Sequence, residues 1–293
     1  MFATALLLLQ ATFQSPRLIE SSGVAVSRAY PDVLWSHNDS GDGPYLYATD
    51  RRGTDRGRLL VSGAFAIDWE DMASGPCPVR VLGEPRCLYL ADTGDNFEVR
   101  PFVTVYVIPE PEPPQNAGDT LGTTRAAAVL NLTYPDGSHD VEGIYVSPRD
   151  SALYLVSKGY KRGTSIRVYR VDLRSWTPRD TATNPPVATL VQTLDITPNR
   201  EAGRVITGAT VRRDGRLVAL RTYNEIYLFY PGVGGRLTPA RAQSCSIAGI
   251  DRGGEAIDFE GDTTFILTSE ASRGRKGTIN TVRCRTQTER TGQ

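Results

Sequence analysis

The chain has 293 residues, of which 40% are hydrophobic and 23% are charged, so it can bury a sizeable core. Its 28 glycines and 19 prolines indicate many turns but not a low-complexity chain. The 33 basic residues balance the 33 acidic residues, which argues against nucleic acid as the main partner because phosphate binding needs a net positive face.

The chain begins with an apolar run from Phe2 to Leu9. This run is too short for a membrane span, which needs about 20 apolar residues, and no later run is longer. Its length suits the core of a secretory signal, although no Lys or Arg precedes Arg17. We therefore expect a signal segment over residues 1–15, a single domain over residues 16–293, and a secreted or periplasmic protein.

The rest of the chain consists of short apolar runs separated by Gly, Pro, Asn and Asp, without a long stretch of helical periodicity. These runs recur as a unit in which an inner strand is followed by a second, a third and often a fourth strand. The five inner strands are SGVAVS from Ser22, EDMAS from Glu70, EGIYVS from Glu142, TGATVR from Thr207 and EAIDFE from Glu255. Four antiparallel strands per repeat, closed into a ring, predict an all-β fold, the β-propeller.

The spacing of the repeats predicts the number of blades. Successive inner strands start 48 to 72 residues apart, and one blade takes about 40 to 50 residues, so no interval can hold an additional blade. The sequence therefore predicts five four-stranded blades. The last repeat has no obvious fourth strand after Cys284, and we expect the N-terminal run from Arg17 to Glu20 to supply it and close the ring.

The four cysteines form no CxxC pair, which zinc or thioredoxin chemistry would require. Cys77 and Cys87 bracket a turn rich in Pro and Gly and would face each other across a hairpin. Cys245 and Cys284 could pair on neighbouring strands. Two disulfides would agree with secretion, and the alternative for each pair is two reduced, partly buried thiols.

The first strand of each propeller blade lines the central channel, so the residues that open the five inner strands should form one ring, the hub. The hub residues are Ser22, Glu70, Glu142, Thr207 and Glu255. Three carboxylates in a narrow channel repel one another unless some are protonated or a cation lies between them. Oxygen ligands in this number suit Ca²⁺, which takes about six to eight of them. We predict a central calcium site; in the alternative, the acids face water or Arg and only cap the channel.

The second strands run opposite to the inner strands, so their ends return to the face on which the hub lies. The charged and polar residues that collect there, the rim, are His37, Asn38, Asp39, Asp92, Asp95, Asn96, Arg100, Lys158, Lys161, Arg162, Arg221, Glu270, Arg273, Arg275 and Lys276. Cations beside a bound Ca²⁺ favour a small anionic ligand, a phosphate or carboxylate that both would hold. The alternative is that these charges pair with one another on a solvated rim.

The hub order Ser, Glu, Glu, Thr, Glu resembles that of the calcium-activated nucleotidases, the soluble apyrases. That family holds a central calcium with one ligand per blade in the order Ser, Glu, Glu, Ser, Glu. HNDSG at 37–41 and VALR at 218–221 are similar to an acidic turn and to a basic residue of the nucleotide site in that family. The chain has no counterpart to the longer nucleotide-contacting segments of apyrases. DVEGIYVSP also resembles phytase-like secreted propellers.

The apyrase resemblance implies calcium-dependent hydrolysis of phosphoanhydrides. The hub would bind calcium, Lys158 and Arg221 would bind phosphates, and a rim carboxylate would orient the attacking water. The candidates for this last role are Asp39, Asp68 and Asp95. Asn96 and Glu270 are further candidates for binding the substrate.

The sequence is also compatible with two other functions. A five-bladed glycosidase would place two or three carboxylates at the same mouth and use aromatic subsites, for which the candidates are Trp35, Trp69 and Tyr160. A non-catalytic secreted propeller would use calcium as a structural ion and the rim to bind a protein or glycan partner. In each case we expect a monomer.

Overall fold

The computed structural model describes residues 3–78, 83–114, 121–159, 165–176, 184–196, 205–251, 253–272 and 274–284. The first strands are β1 (Ala3–Thr4) and β2 (Leu6–Thr12). Blade one contains β3 (Ser21–Val26), β4 (Leu34–Asn38), β5 (Tyr45–Thr49) and β6 (Arg58–Leu60). The chain continues with β7 (Trp69–Gly75), β8 (Cys87–Asp92), β9 (Val103–Pro109), β10 (Leu121–Thr123) and β11 (Ala128–Leu132). Of these, β10 joins the outer edge of blade one and the other four form blade two.

The remaining three blades follow in chain order. Blade three contains β12 (Val141–Ser147), β13 (Ala152–Ser157), β14 (Ile166–Asp172) and β15 (Thr189–Leu194). Blade four contains β16 (Ile206–Val211), β17 (Val218–Thr222), β18 (Glu225–Pro231) and β19 (Leu237–Ser246), with a 3₁₀ turn at Val233–Gly235. Blade five contains β20 (Gly254–Phe259), β21 (Thr264–Ser269) and β22 (Thr278–Arg283).

The inner strands β3, β7, β12, β16 and β20 each contact the inner strands of the two neighbouring blades, and β20 contacts β3, so the ring is closed. Within each blade the consecutive strands pair antiparallel. The prediction of an all-β, five-bladed propeller is therefore confirmed. In the described ranges, no helix is long and apolar enough to cross a membrane.

The hydrophobic core is divided into five clusters, each between two neighbouring blades. Trp35 and Trp69 belong to the cluster between blades one and two and are 0% and 1% exposed. The expectation that these tryptophans form aromatic sugar subsites is therefore wrong, because their rings are packed inside the protein. Tyr160, the third candidate, lies outside the described residues.

The ring is closed by an N-terminal strand, as predicted, but by different residues. β2 pairs antiparallel with β22, from Leu6 opposite Arg283 to Thr12 opposite Thr278, and completes blade five as its fourth strand. The run from Arg17 to Glu20, predicted for this role, instead bonds to the side chain of Asn38, at the end of β4. The closing strand therefore lies inside the segment predicted as a signal.

Both predicted disulfides are confirmed. Cys77 and Cys87 are bonded across the hairpin of blade two, with their Cα atoms 4.9 Å apart. Cys245 lies in β19 and Cys284 follows β22, with their Cα atoms 5.7 Å apart, so this second bond links blade four to blade five. β1 pairs with β19 at the same place, Ala3 lying opposite Cys245. The seam where the ring closes is thus held by two strands and a covalent bond.

Candidate functional site

The five predicted hub residues occupy equivalent positions. Each is the second residue of its inner strand and is left out of the register with the second strand, as a β-bulge. In blade two, for example, Trp69 lies opposite Asp92 and Asp71 opposite Ala91, so Glu70 has no partner. A bulge redirects a side chain. A register irregularity at the second residue of all five inner strands, which in blade five also includes Ala256, therefore places one hub side chain per blade at the same end of the channel, which we call the upper channel.

Carboxylates crowd the upper channel. Oxygen atoms of Glu70, Asp140 and Glu142 all lie within 4.8 Å of one another, and so do oxygen atoms of Asp39, Asp68 and Glu70. Glu70 belongs to both groups, so these five acids, from blades one, two and three, form one continuous acidic cluster. Glu70, Asp140 and Glu142 are buried, whereas Asp39 and Asp68 are partly exposed. The cluster therefore reaches from the channel to the rim.

Asp140 is a member of this cluster that sequence reasoning missed. It immediately precedes β12, and its Oδ1 accepts a hydrogen bond of 3.0 Å from the backbone N–H of Asp95. A signal for it was present, because Asp68-Trp69-Glu70 and Asp140-Val141-Glu142 share the pattern Asp-x-Glu in successive blades. In both blades the Asp therefore lies two residues before the bulged Glu.

Burial and mutual repulsion make ionisation of these acids costly. Burial, helped by the charges of Asp39 and Asp140, raises the pKa of Asp68 to about 6. Burial, followed by the charge of Glu142, raises the pKa of Glu70 well above its usual range. Burial also raises the pKa of Glu142, although the ammonium of Lys158 opposes this shift. The upper channel therefore favours either protonated acids or a bound cation.

Lys158 is the cation inside this cluster. Its Nζ lies 3.5 Å from Oδ2 of Asp140 and forms a shorter ion pair with Glu142. These carboxylates raise the pKa of Lys158 despite its burial, so it remains charged. One ammonium group does not balance five acids. Since Lys158 is already paired, the structure gives it the role of holding Glu142 and Asp140, and contact with a phosphate would require these bonds to loosen.

The other three hub residues are Ser22, Thr207 and Glu255. Thr207 is 1% exposed, and within the described ranges its Oγ1 has no hydrogen-bond partner. Ser22 is also buried. Glu255 lies outside both groups of close carboxylates, but its charge contributes to raising the pKa of Glu142. Burial raises the pKa of Glu255 itself, opposed by the charges of Arg221 and Lys158.

Arg221 occupies a different place from the one its predicted role requires. Its side chain is fully buried, and its guanidinium donates hydrogen bonds to Asp251 at 2.8 Å and to the backbone oxygen atoms of Ala256 and Thr268. It therefore cannot touch a ligand at the mouth without a rearrangement of blade five. Its positive charge still affects the hub, because it opposes the rise in the pKa of Glu255 that burial causes.

The rim residues of blade two mainly support a loop. The carboxylate of Asp95 accepts the backbone N–H groups of Val99 at 3.0 Å and of Arg100 at 2.8 Å, which leaves it poorly placed to orient a water. Arg100 in turn pairs with Asp92 at 2.9 Å. Asn96 is exposed at the tip of this loop.

The rim of blade five contains a cavity. Glu270, Arg275 and Lys276 line this space of about 510 Å³ together with hydroxyl groups such as that of Thr278. Burial, followed by the charge of Glu255, raises the pKa of Glu270 to about 7. Lys161, Arg162 and Arg273, also predicted for the rim, lie outside the described residues.

His37 is not a rim group. It is fully buried, packs edge-on against Trp69 with ring centroids 5.2 Å apart, and donates from Nδ1 to the backbone oxygen of Asn38 at 2.9 Å. Burial lowers its pKa. His37 therefore supports the core beneath the rim as a neutral ring.

Two further buried acids lie deeper, in what we call the lower channel, and sequence reasoning missed both. Asp71 accepts the backbone N–H groups of Met72 at 2.8 Å, Ile144 at 2.8 Å and Ala209 at 3.1 Å, and so joins blades two, three and four. Asp258 of blade five accepts the N–H of Val26 in blade one at 2.8 Å and the hydroxyl of Thr210 in blade four at 2.6 Å. These carboxylates tie the inner strands together.

No protein-family model and no curated protein matches this sequence. Solved structures do. The PQQ-bound aldose sugar dehydrogenase of Streptomyces coelicolor is 13% identical, with a TM-score of 0.53 over 96% of this chain and 98% of that chain. The major allergen Mala s 1 of Malassezia sympodialis is 9% identical, with a TM-score of 0.54 over 94% of this chain and 96% of that chain. At such low identity these similarities show the fold alone, and the apyrase resemblance has no support from a matching family model.

Proposed function

We propose that this protein is a secreted propeller that binds Ca²⁺ in the upper channel. The observation that supports the proposal best is the group formed by Glu70, Asp140 and Glu142, three buried carboxylates whose oxygen atoms lie within 4.8 Å of one another. Such a group is unfavourable without a cation or protons. A calcium ion would neutralise it and would accept as a further ligand the Oγ1 of Thr207, which has no hydrogen-bond partner among the residues that the structure describes.

The donor set favours calcium over other metals. Its members are carboxylate and hydroxyl oxygens from different blades, with no Cys and no free His among the clustered residues. Hard oxygen ligands in large number suit Ca²⁺, whereas Mg²⁺ requires a near-ideal octahedron and Zn²⁺ prefers nitrogen and sulfur. Ser22 and Glu255, which occupy the equivalent bulged positions in blades one and five, would complete the ring of ligands.

Calcium-dependent hydrolysis of a phosphoanhydride is a second proposal for the same site. It is favoured by Asp39 and Asp68, which lie on the exposed side of the cluster and share a group with the proposed ligand Glu70. Bound calcium would polarise the phosphate oxygens. Asp68 or Asp39 would then accept a hydrogen bond from the attacking water. Arg275 and Lys276, in the cavity of blade five, are better placed than Arg221 to bind the anionic ligand.

The proposal is tested by adding calcium to chelator-treated protein and measuring the heat of binding by calorimetric titration and the melting temperature at each calcium concentration. A ligand at 100 times its dissociation constant stabilises the folded state by about 2.7 kcal/mol, so we expect a clear rise in melting temperature. Glu142→Gln should weaken binding at least tenfold. The matched control is Glu84→Gln, which changes an exposed acid paired with Arg125 away from the channel. If calcium up to millimolar concentration neither binds nor stabilises the protein, the proposal is wrong.

An assay of phosphate release separates catalysis from a structural role. Wild type is incubated with nucleoside di- and triphosphates, with calcium or with chelator. Calcium-dependent release of phosphate that Asp68→Asn abolishes, at a calcium concentration that saturates the variant, would support hydrolysis. If calcium binds but no phosphate is released from these nucleotides, the hydrolysis proposal is wrong and the calcium proposal stands.

Secretion is proposed from the two disulfides, which form and persist in oxidising compartments. A signal segment over residues 1–15 would include the closing strand β2. Removal of the segment would therefore leave blade five with three strands. Mass spectrometry of the N-terminus of the exported protein shows whether residues 1–15 are removed as a signal or are kept and supply the fourth strand of blade five.

A further inference from the structure

The rim of blade two carries a group of apolar side chains that the proposed function does not use. Phe65 and Ile67 lie in the loop before β7, and Phe97 and Val99 lie in the loop after β8. Their exposed fractions are 75%, 62%, 85% and 71%. Single exposed apolar residues are ordinary, but four on neighbouring loops form a patch, and such patches mark interaction sites. We call these four residues the apolar tip.

The two loops of the apolar tip are joined to each other. The backbone N–H of Asp68 donates to Oδ1 of Asp92 at 3.1 Å, and the N–H of Gly94 donates to the backbone oxygen of Asp68 at 3.2 Å. The two loops are therefore in direct contact at Asp68, Asp92 and Gly94. Both loops lie at the end of blade two where β7 begins and β8 ends, on the same face of the ring as the hub.

The backbone of the apolar tip is held in place. Trp69, which is buried, donates from Nε1 to the backbone oxygen of Phe65 at 2.9 Å. The carboxylate of Asp95 binds the N–H of Val99, and the N–H of Glu98 donates to the backbone oxygen of Asp95 at 2.8 Å. These bonds fix the backbone that carries the exposed apolar side chains. The apolar tip thus has a preorganised backbone, and the exposure of its side chains to water carries a cost that binding would offset.

The charges next to the tip restrict what can cover it. Asp39 and Asp68 lie beside it on the rim, and the buried acids of the upper channel lie behind them. The guanidinium of Arg100 is already paired with Asp92. An anionic surface would be repelled here, whereas a surface with apolar depth and positive groups on its outside would be attracted. A bilayer of phosphocholine lipids has this combination, because the choline groups lie outermost above the acyl chains.

We propose that the apolar tip inserts into the surface of a zwitterionic lipid bilayer, with the acidic rim facing the choline groups. Phe65 and Phe97 supply most of the inserted area, since aromatic side chains favour the interface of a membrane. A bilayer suits a protruding tip because it requires no complementary pocket. The proposal goes beyond the calcium site and does not depend on it, since no residue of the tip is a proposed calcium ligand.

The test is sedimentation of the protein with vesicles of pure phosphatidylcholine, in calcium and in chelator. The double variant Phe65→Ser/Phe97→Ser should have a partition coefficient for the vesicles at least tenfold lower than that of wild type. Its melting temperature should be unchanged. Val233→Ser is the matched control, because Val233 is 99% exposed but lies between β18 and β19, at the opposite end of its blade from the hub. It should bind as wild type does. If the double variant is unstable, Phe97→Ser alone serves, since Phe97 is the most exposed residue of the tip.

Several outcomes would overturn the proposal. These are an absence of binding to phosphatidylcholine, equal binding by the double variant, and binding only to vesicles that contain phosphatidylglycerol. Self-association that the double variant abolishes would assign the tip to a second copy of this chain. Failure of the calcium proposal looks different, because Glu142→Gln would then behave as wild type in calcium titrations while vesicle binding is unaffected.

Discussion

Glu70 and Asp71 are adjacent residues of β7, but their carboxylates lie in two regions of the channel with opposite surroundings. Asp71, in the lower channel, accepts three backbone N–H groups from three blades. Glu70, in the upper channel, receives no hydrogen bond from the described part of the chain and is surrounded by other acids. Asp71 is 0% exposed and Glu70 is 5% exposed, and burial raises the pKa of both carboxyl groups well above their usual range. The three backbone N–H groups oppose this shift at Asp71, whereas the charge of Glu142 adds to it at Glu70. The number of available donors, and not burial, separates the two regions.

The surroundings of each carboxylate determine what it can do. A buried acid with enough donors is a structural joint, because its lone pairs are satisfied in the folded state and only there. A buried acid among acids lacks such compensation and requires a proton or a cation. The lower channel therefore holds the blades together, and the upper channel is where a ligand has most to contribute.

The largest expected effect follows from removing an acid of the lower channel. Asp71→Ala leaves three buried N–H groups without an acceptor, and each orphaned group costs about 1–3 kcal/mol. We expect the free energy of unfolding to fall by about 3 kcal/mol or more in denaturant titrations, with or without calcium. The control is Asp262→Ala, since Asp262 is 94% exposed and should change stability little. An Asp71→Ala protein as stable as wild type would show that the lower channel is not a joint.

An acid of the upper channel should behave in the opposite way. The raised pKa of Glu70 means that wild type without a cation loses stability as the pH rises from the pKa of an unfolded Glu towards the higher pKa in the folded state. Glu70→Gln removes this loss, so in chelator at pH 7 the variant should be more stable than wild type by about 1 kcal/mol or more. The variant should also gain less stability from calcium. Thermal unfolding at several pH values measures both effects.

If Glu70→Gln were less stable than wild type in chelator, the proposed difference between the upper and the lower channel would be wrong. This result would mean that the carboxylate of Glu70 has favourable partners in the folded state, as that of Asp71 does. Glu84→Gln again serves as the exposed control, with no pH-dependent difference from wild type expected.

The fold could be predicted from the sequence because its determinants are local and repeated. Five similar segments predict the five inner strands, and they start at Ser22, Glu70, Glu142, Thr207 and Glu255. Cys77 and Cys87 bracket a hairpin. The closing strand could not be placed, because Leu6–Thr12 reads equally well as a signal core and as an edge strand. Choosing between them depends on a pairing with β22, at the other end of the chain.

The site could be predicted only in part, because contacts between blades are invisible in a single repeat. The five hub positions are equivalent in the backbone, since each is a bulged second residue of its inner strand. Arg221 carries the right charge, but sequence does not reveal that Asp251 and two carbonyl groups enclose it. Asp71 reads as an ordinary neighbour of Glu70 until Ile144 and Ala209 are seen to donate to it.

The smallest expected effect is the most specific to the upper channel, because it measures protons and not stability. Acids whose pKa values are raised, such as Asp68 with a pKa of about 6, hold protons near neutral pH that a bound cation must displace. Calcium binding should therefore release protons. Its affinity should rise between pH 6 and pH 8, by up to about tenfold per pH unit for each proton released. The measurement is calorimetric titration at pH 7 in buffers with different enthalpies of ionisation.

Asp71→Asn, if it folds, should release as many protons on calcium binding as wild type, because the donors of the lower channel remain in place and its acid is not a ligand. Glu142→Gln should release fewer. A binding enthalpy independent of the buffer would mean that the acids of the upper channel are already ionised without a cation. Some group would then have to compensate them as the three N–H groups compensate Asp71, and the two regions of the channel would no longer differ in kind.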